Sequence, residues 1–344
     1  MNNRFAVSTK FSHHGNTSGY DLLLDHIKYT KIFNQKEFEK DYLPDIKGLR
    51  RINRAIKNFK IQKFYGIMDQ YFQNKSGIIH FIYPENTLQF YPYKIPESLK
   101  IFSTFHQPKE WFYNLHKSPY RQLMLNRLKR TDYAIALGKD IIPVINEVLK
   151  IDQVKFIPHG VNTKYFTPPA EKRYPKHVLI VGNWLRDMEC ASKVALYVAK
   201  MDSSVKFTVI SISDNRRYFL SNSNVDFYSG ISNSDLLKYL QTSSLLFLPL
   251  KGAIANNAIL ESASCGLPVY CTYFSAMDDY FNSDALYTFD LHLHNEPNKI
   301  AIGLLDILNN SRRLSESSIL LRKQAVELDW SAIAKRVESY YTDF

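Results

Sequence analysis

The 344-residue sequence has no apolar run approaching the roughly 18 residues a helix needs to cross a bilayer. Its opening stretch, MNNRFAVSTKFSHHGN, lacks the apolar centre of a secretory signal. With a mean hydropathy of -0.28 these absences argue against an integral membrane protein. Cysteine is scarce: Cys190, Cys265 and Cys271 are odd in number and fit neither a CxxC nor a metal-ligand spacing. That suits structural thiols in a reducing compartment, so a cytoplasmic protein is expected. No short internal repeat or low-complexity tract is present, and the lack of a nucleic-acid-reading motif argues against nucleic acid as a partner.

What is present is a folded globular composition, 45% hydrophobic and 22% charged. The length exceeds one ordinary core and favours two domains. The formal charge of +11 is unevenly spread, with 28 Lys+Arg against 15 Asp+Glu in residues 1–173 and 16 against 18 in the remainder. The first half therefore suits an anionic partner. Short apolar strand candidates alternate with amphipathic segments: RFAVST, GIIHFIYP, KIFSTFHQP, DYAIALG and VKFIPHG, then HVLIVGN, VKFTVIS, VDFYSG, LLFLPL, LPVYCT and LYTF. Such alternation predicts parallel sheets covered by helices on both faces. The stretch NTKYFTPPAEKRYPKH, with Pro168, Pro169 and Pro175, has little periodicity and predicts a boundary near residue 170. The domains expected are 1–170 and 171–330, and a last amphipathic helix, 331–344, could fold back on the first. In open parallel sheets ligands bind beyond the carboxyl ends of the strands, so the site is expected in the cleft between the two domains.

The most informative segment follows the strand SLLFLPL. The loop KGAIA leads to Asn256 and Asn257, and a helix runs through Ala258 to Cys265. Asparagine is a good N-cap, and a helix start presents N–H groups and a partial positive charge, a place for a diphosphate. One turn further in, Glu261 sits in an apolar helix. A buried carboxylate is costly unless it is hydrogen-bonded, so either a ligand such as a ribose diol or neighbouring backbone amides must hold it. Gly266 closes the helix, and Pro268 starts the next strand.

AIANNAILESASCGLPV resembles the nucleotide-sugar site of GT-B glycosyltransferases, in particular the large retaining family four. Its members often carry E-G-x-G-x-x-x-x-E followed by A-x-A-C-G-x-P-V. Here Glu261 stands at the second glutamate and Ala253 at the first. PHGVNTKYFTPP resembles the interdomain signature N-G-V-D-x-x-x-F-x-P, with His159 in place of Asn. VLIVGNWLRDMECA resembles the first strand-loop of the nucleotide domain. It keeps Gly182, has Asn183 where Arg is frequent, and leaves Arg186 as the nearest cation for a diphosphate, with a solvated loop arginine as the alternative. VDFYSGISNSDLLKYLQTSSLLFLPL resembles the segment before the site, whose Gly230–Ile231 turn would lie against the base. The resemblance covers about residues 155–275, and the first half by architecture.

The resemblance implies an α/β protein of two Rossmann-like domains with parallel sheets facing across a cleft. It implies transfer of a sugar from a nucleotide-sugar donor to a glycan, lipid-linked or polysaccharide acceptor with retention of configuration. No D-x-D sequence occurs, so no metal and no cofactor beyond the nucleotide-sugar co-substrate is expected. On the acceptor side HHGNTSGYD resembles the family's N-terminal glycine loop, which singles out His14, Gly15, Asn16 and Gly19; a simple turn is the other reading. His106 ends a strand, where the family places a histidine beside the donor sugar, and a structural histidine is the alternative. His13, His14 and His159 rank below it. With Arg186, His106 forms the expected catalytic pair.

DIKGLRRINRAIKNFKIQKFYG places Leu49, Ile52, Ile56 and Phe59 at helical spacing, with Arg50, Arg51, Arg54, Lys57, Lys60 and Lys63 on the other faces. Packing of the stripe on its own sheet and attraction of the charges to an anionic membrane surface are both expected. Rival functions are a GT-B-fold nucleotide-sugar epimerase, whose acid/base carboxylates are not identifiable, and a non-catalytic sugar- or nucleotide-binding relative, which Ala253 favours.

Overall fold

Every apolar run singled out above becomes a parallel strand, and β2 is added to them. The computed structural model describes residues 3–11, 16–35 and 50–343. In the first unit the strands are β1 (Asn3–Ser8), β2 (Lys31–Asn34), β3 (Gly77–Phe81), β4 (Leu99–Phe105), β5 (Tyr133–Ala136) and β6 (Gln153–Phe156), in the order β2-β1-β3-β4-β5-β6. In the second they are β7 (His177–Val181), β8 (Lys206–Ile210), β9 (Val225–Tyr228), β10 (Leu245–Leu248), β11 (Val269–Thr272) and β12 (Tyr287–Phe289), in the order β12-β11-β10-β7-β8-β9. Both sheets are six-stranded, and all the strand pairs are parallel. The fold is thus α/β, two Rossmann-like units.

Strand order locates the crevices. In the second sheet β7 lies between β8 and β10, so the chain leaves it one way to β8 and returns on the other side to β10. That reversal is the topological switch point where open α/β sheets bind ligands. The corresponding reversal in the first sheet lies between β1 and β3.

The units are Met1–Pro158 with Ile333–Phe344, and His159–Ala332. The division therefore falls ahead of the proline stretch in which the boundary was expected. The reason lies in backbone bonding. Arg322 of α9 (Ser311–Val326) donates to the carbonyls of Phe166 and Ser264, and Arg173 to those of Leu240, Gln241, Ser243 and Cys265. The aperiodic stretch is a strap fastened to the second unit, not a free linker.

The last helix, α10 (Trp330–Tyr340), leads into Tyr341, whose hydroxyl bonds His80 Nδ1 at 2.6 Å and Tyr29 at 2.9 Å. His80 Nε2 meets Thr104 at 2.8 Å, and burial pushes this imidazole down to about 3, so it stays neutral. The C-terminal residues thereby join the first core. That core is aromatic, with Phe5, Phe64, Phe72, Phe81, Phe102, Phe105 and Phe112 fully buried. The second is aliphatic, built on Val178, Ile180, Val194, Val198, Val205, Val209 and Leu245. Among the described side chains of α1 (Arg50–Phe72), Phe64, Tyr65, Met68 and Phe72 are buried, while Phe59 is 71% exposed. The expectation that Phe59 faces its own sheet is therefore corrected: the buried side chains described in this helix begin at Phe64, more than one turn beyond it. Leu49, and the side chains of Ile52 and Ile56 with those of Arg50, Arg51, Arg54 and Lys57, lie outside what is described.

Candidate active site

The switch point of the second unit gathers several of the expected residues. β7 ends at Val181, and Gly182, at φ 98°, turns the chain in the left-handed region. A Cβ on Gly182 would lie 3.0 Å from Arg186 Nη2, so the guanidinium folds back across the glycine. Arg186 donates from Nε to Val181 O at 3.0 Å, from Nη1 to Trp184 O at 3.1 Å and from Nη2 to Asn256 Oδ1 at 3.2 Å. A guanidinium has N–H donors beyond these three bonds. Burial lowers its pKa to about 10, partly opposed by the Cys271 thiol and Glu261, so it remains a cation at neutral pH.

Asn256 is the N-cap of α7 (Asn257–Ser264); its Oδ1 accepts the N–H groups of Ala258 and Ile259 at 3.1 and 3.4 Å. The Ala258 amide, expected to face an anion, is therefore taken by the cap, because a capping side chain competes for the same donors. The features here that would favour an anion are the dipole of α7 and the Arg186 cation paired to its cap. Glu261 is 6% exposed, within the electrostatic reach of Arg186, and raises the pKa of Tyr165. Gly266, at φ 64°, closes α7 as the sequence predicts.

Of the other expected residues of this unit, Asn183 and Asn257 adjoin the pair and Gly230 and Ile231 stand apart. Asn183 is exposed and accepts the Arg186 N–H through its carbonyl. Gly230, at φ 68°, and Ile231 follow β9, an edge strand separated from β7 by β8, and Gly230 is open to solvent. Asn257 is the first residue of α7.

On the first unit, His14 and Gly15, with His13, lie outside the described residues. Asn16 is exposed and accepts from Lys10 Nζ at 2.6 Å. Gly19, at φ 99°, opens the turn that places Tyr20, whose N–H donates to the Tyr83 hydroxyl at 2.9 Å. His106 follows β4, partly exposed. Its Nε2–H donates to Ile82 O at 2.8 Å, and its ring lies 4.5 Å from Tyr83 and 5.0 Å from Tyr20. The two expected catalytic residues, His106 and Arg186, thus belong to different units. His159 is buried against Trp330, with rings 5.1 Å apart; its N–H donates to the Tyr280 hydroxyl at 3.0 Å, a structural placement.

Glu85 was missed. It is 4% exposed, and its Oε1 accepts the His106 N–H at 2.5 Å while Oε2 has no partner among the described residues. Burial raises its carboxyl to about 7, against the opposing backbone N–H bonds of His106, its own amide and Gln107. The signal available was a glutamate directly after an apolar strand and a proline, FIYPE, but a polar residue at a strand exit is ordinarily solvated.

No protein-family model matches this sequence, and no curated protein is similar enough to match it. Solved structures match its fold. Sucrose-phosphate synthase from Thermosynechococcus elongatus superposes with a TM-score of 0.72 at 16% identity, covering 98% of each chain. Anabaena Alr3699/HepE, solved in complex with UDP, gives 0.68 at 11% identity, covering 99% of this chain and 100% of its own. TarM gives 0.66 at 14% identity over 83% of this chain and 58% of its own. The fold is that of the GT-B glycosyltransferases.

Proposed function

We propose that this chain is a glycosyltransferase that takes a sugar from a nucleotide-sugar donor held by the second unit and passes it to a glycan, lipid-linked or polysaccharide acceptor held by the first. The observation that carries this reading is the Arg186–Asn256 pair across Gly182, at the start of α7 and at the switch point of the sheet. Departure of the donor's diphosphate builds negative charge on oxygen. A fixed cation and a helix dipole aimed at that charge stabilise the transition state more than the ground state. Glu261 would accept hydrogen bonds from the ribose. Similar folds solved with UDP support a nucleotide in this unit.

Retention and independence of metal belong to the same proposal. They rest on the family resemblance and on the absence of a D-x-D sequence. Ala253 leaves the donor-sugar side without the usual glutamate, which favours a donor recognised through other groups, or a binding protein without transfer activity, as the second reading. The basic first half and the exposed Phe59 support a cytoplasmic enzyme that docks peripherally on an anionic membrane surface. Calorimetric titration with UDP, GDP and ADP and their common sugars tests the donor reading. Selective binding of one nucleotide, lost in Glu261→Ala while the fold persists, is the expected result. Wild-type affinity in that variant refutes the ribose role of Glu261, and no binding to any of the panel refutes the donor site.

A further inference from the structure

Behind the Arg186–Asn256 pair runs a second polar chain with no counterpart among the residues singled out in the sequence. The Leu250 N–H donates to Thr272 Oγ1 at 2.8 Å, and Thr272 Oγ1 lies 2.8 Å from His294 Nε2. His294 Nδ1 lies 3.0 Å from Asp187 Oδ2, and the Cys190 N–H donates to Asp187 Oδ1 at 3.0 Å. One arrangement of protons satisfies every member. The threonine oxygen accepts from Leu250 and gives its own proton to Nε2, and the imidazole donates from Nδ1 to the carboxylate. Burial works against the charge on Asp187, but the bonds from His294 and Cys190 and the nearby Lys251 outweigh it and hold the carboxyl down at about 2.

Hydroxyl, imidazole and carboxylate in this order form the triad of acyl-transfer enzymes. Here they cannot act as one. Thr272 is wholly buried at the end of β11, and its oxygen is already bonded on both sides. A nucleophile must reach a substrate, so the chain holds parts in place. Its ends show which parts. Asp187 directly follows Arg186 and caps α5 (Met188–Met201), while Leu250 and Lys251 open the loop that carries Asn256. The two loops are also zipped together: the Asp187 N–H donates to Pro249 O at 2.8 Å and the Lys251 N–H to Leu185 O at 2.9 Å. Lys251 Nζ lies 3.6 Å from Asp187 Oδ2. His294 comes from a third loop, beyond β12, and closes the set from behind.

We infer that His294 is a positioning residue of the diphosphate site: through Asp187 and Thr272 it locks the loops after β7 and β10 so that Arg186 and the start of α7 meet the same anion. The inference rests on the donor site proposed above. Its test compares a nucleoside diphosphate with its nucleoside, because a lock on the phosphate loops affects only the former. Titrations with UDP, GDP and ADP, and with uridine, guanosine and adenosine, are made on the wild type, His294→Phe and His294→Gln. Thr272→Val serves as a second, near-isosteric break of the chain should the phenylalanine variant not fold. The expected result is about tenfold weaker diphosphate binding in His294→Phe and Thr272→Val, unchanged nucleoside binding, and recovery to within about threefold in His294→Gln, whose amide both donates and accepts. Equal weakening of nucleoside and diphosphate, or no weakening of either, overturns the inference while the donor site stands. A wild type that binds none of the six overturns the donor site and this inference with it.

Discussion

The two units share one plan, a six-stranded parallel sheet with a crevice where the strand order reverses, yet the crevice ends are furnished differently. In the second unit polar groups come in matched sets: Arg186 with Asn256, and Asp187 with His294, Thr272 and Lys251. In the first unit the corresponding strand ends carry aromatic rings around His106 and a buried carboxylate, Glu85, which among the described residues is held by backbone N–H groups rather than by a cation. A region that must hold a diphosphate needs fixed positive charge, and fixing that charge takes a network of acceptors. Aromatic walls with few charges suit the mixed polar and apolar surface of a sugar. The difference therefore fits the division of labour proposed for the two units.

The largest test of that contrast concerns Glu85. Its carboxyl stands at about 7 in the folded protein against an ordinary 4.5. The folded state therefore binds the proton more tightly than the unfolded chain. The stability this group contributes is complete below pH 4.5, declines as pH rises from there, and is lost once pH has risen through 7. The change amounts to roughly 3 kcal/mol. Glu85→Gln keeps an acceptor for the His106 N–H and removes the titration. Urea midpoints of the two proteins at pH 4, 6 and 8 should diverge with pH, the variant gaining. Parallel profiles would mean that the carboxylate is compensated, and the contrast between the two crevices would fail.

How far the sequence disclosed these sites follows from the same physics. Strands buried on both faces, such as HVLIV and LLFL, announce themselves as apolar runs. β2 did not, because its Lys31 and Ile32 are exposed on an edge strand and leave almost no pattern. Asn256 and Glu261 stood out because a cap and a carboxylate in an apolar helix are local signals, whereas Gly182 and Arg186 were singled out by the family resemblance. Asp187, Thr272 and His294 were not, since they are far apart in sequence and only the sheet brings them together. The boundary was expected inside the proline stretch because aperiodic backbone looks the same whether it hangs free or is tied down by arginines such as Arg173 and Arg322.

The next test sets the two units against each other directly. Arg186→Met should weaken binding of UDP, or of whichever nucleotide the wild type prefers, by about 2 kcal/mol, some thirtyfold, because it removes a charge-assisted contact. His106→Ala, in the other unit, should leave that affinity unchanged and lower turnover. If both variants lost nucleotide affinity alike, the assignment of donor and acceptor to separate units would be broken.

The smallest effect separates the two tasks given to Asn256. As the cap of α7 it accepts from Ala258 and Ile259, and as a partner it accepts from Arg186. Asn256→Ala should cost about 1 kcal/mol of stability, the usual worth of a cap. Asn256→Asp should restore the cap, favour the helix dipole and pair more strongly with Arg186, so its stability should equal or exceed that of the wild type. The added negative charge would meanwhile repel a diphosphate and draw Arg186 away from it. Thermal unfolding and UDP titration on the same two variants therefore read different things. A stable Asn256→Asp protein with weakened nucleotide binding shows that the start of α7 faces the anion. A stable one that binds as the wild type does confines Asn256 to capping and leaves the anion to Arg186 alone.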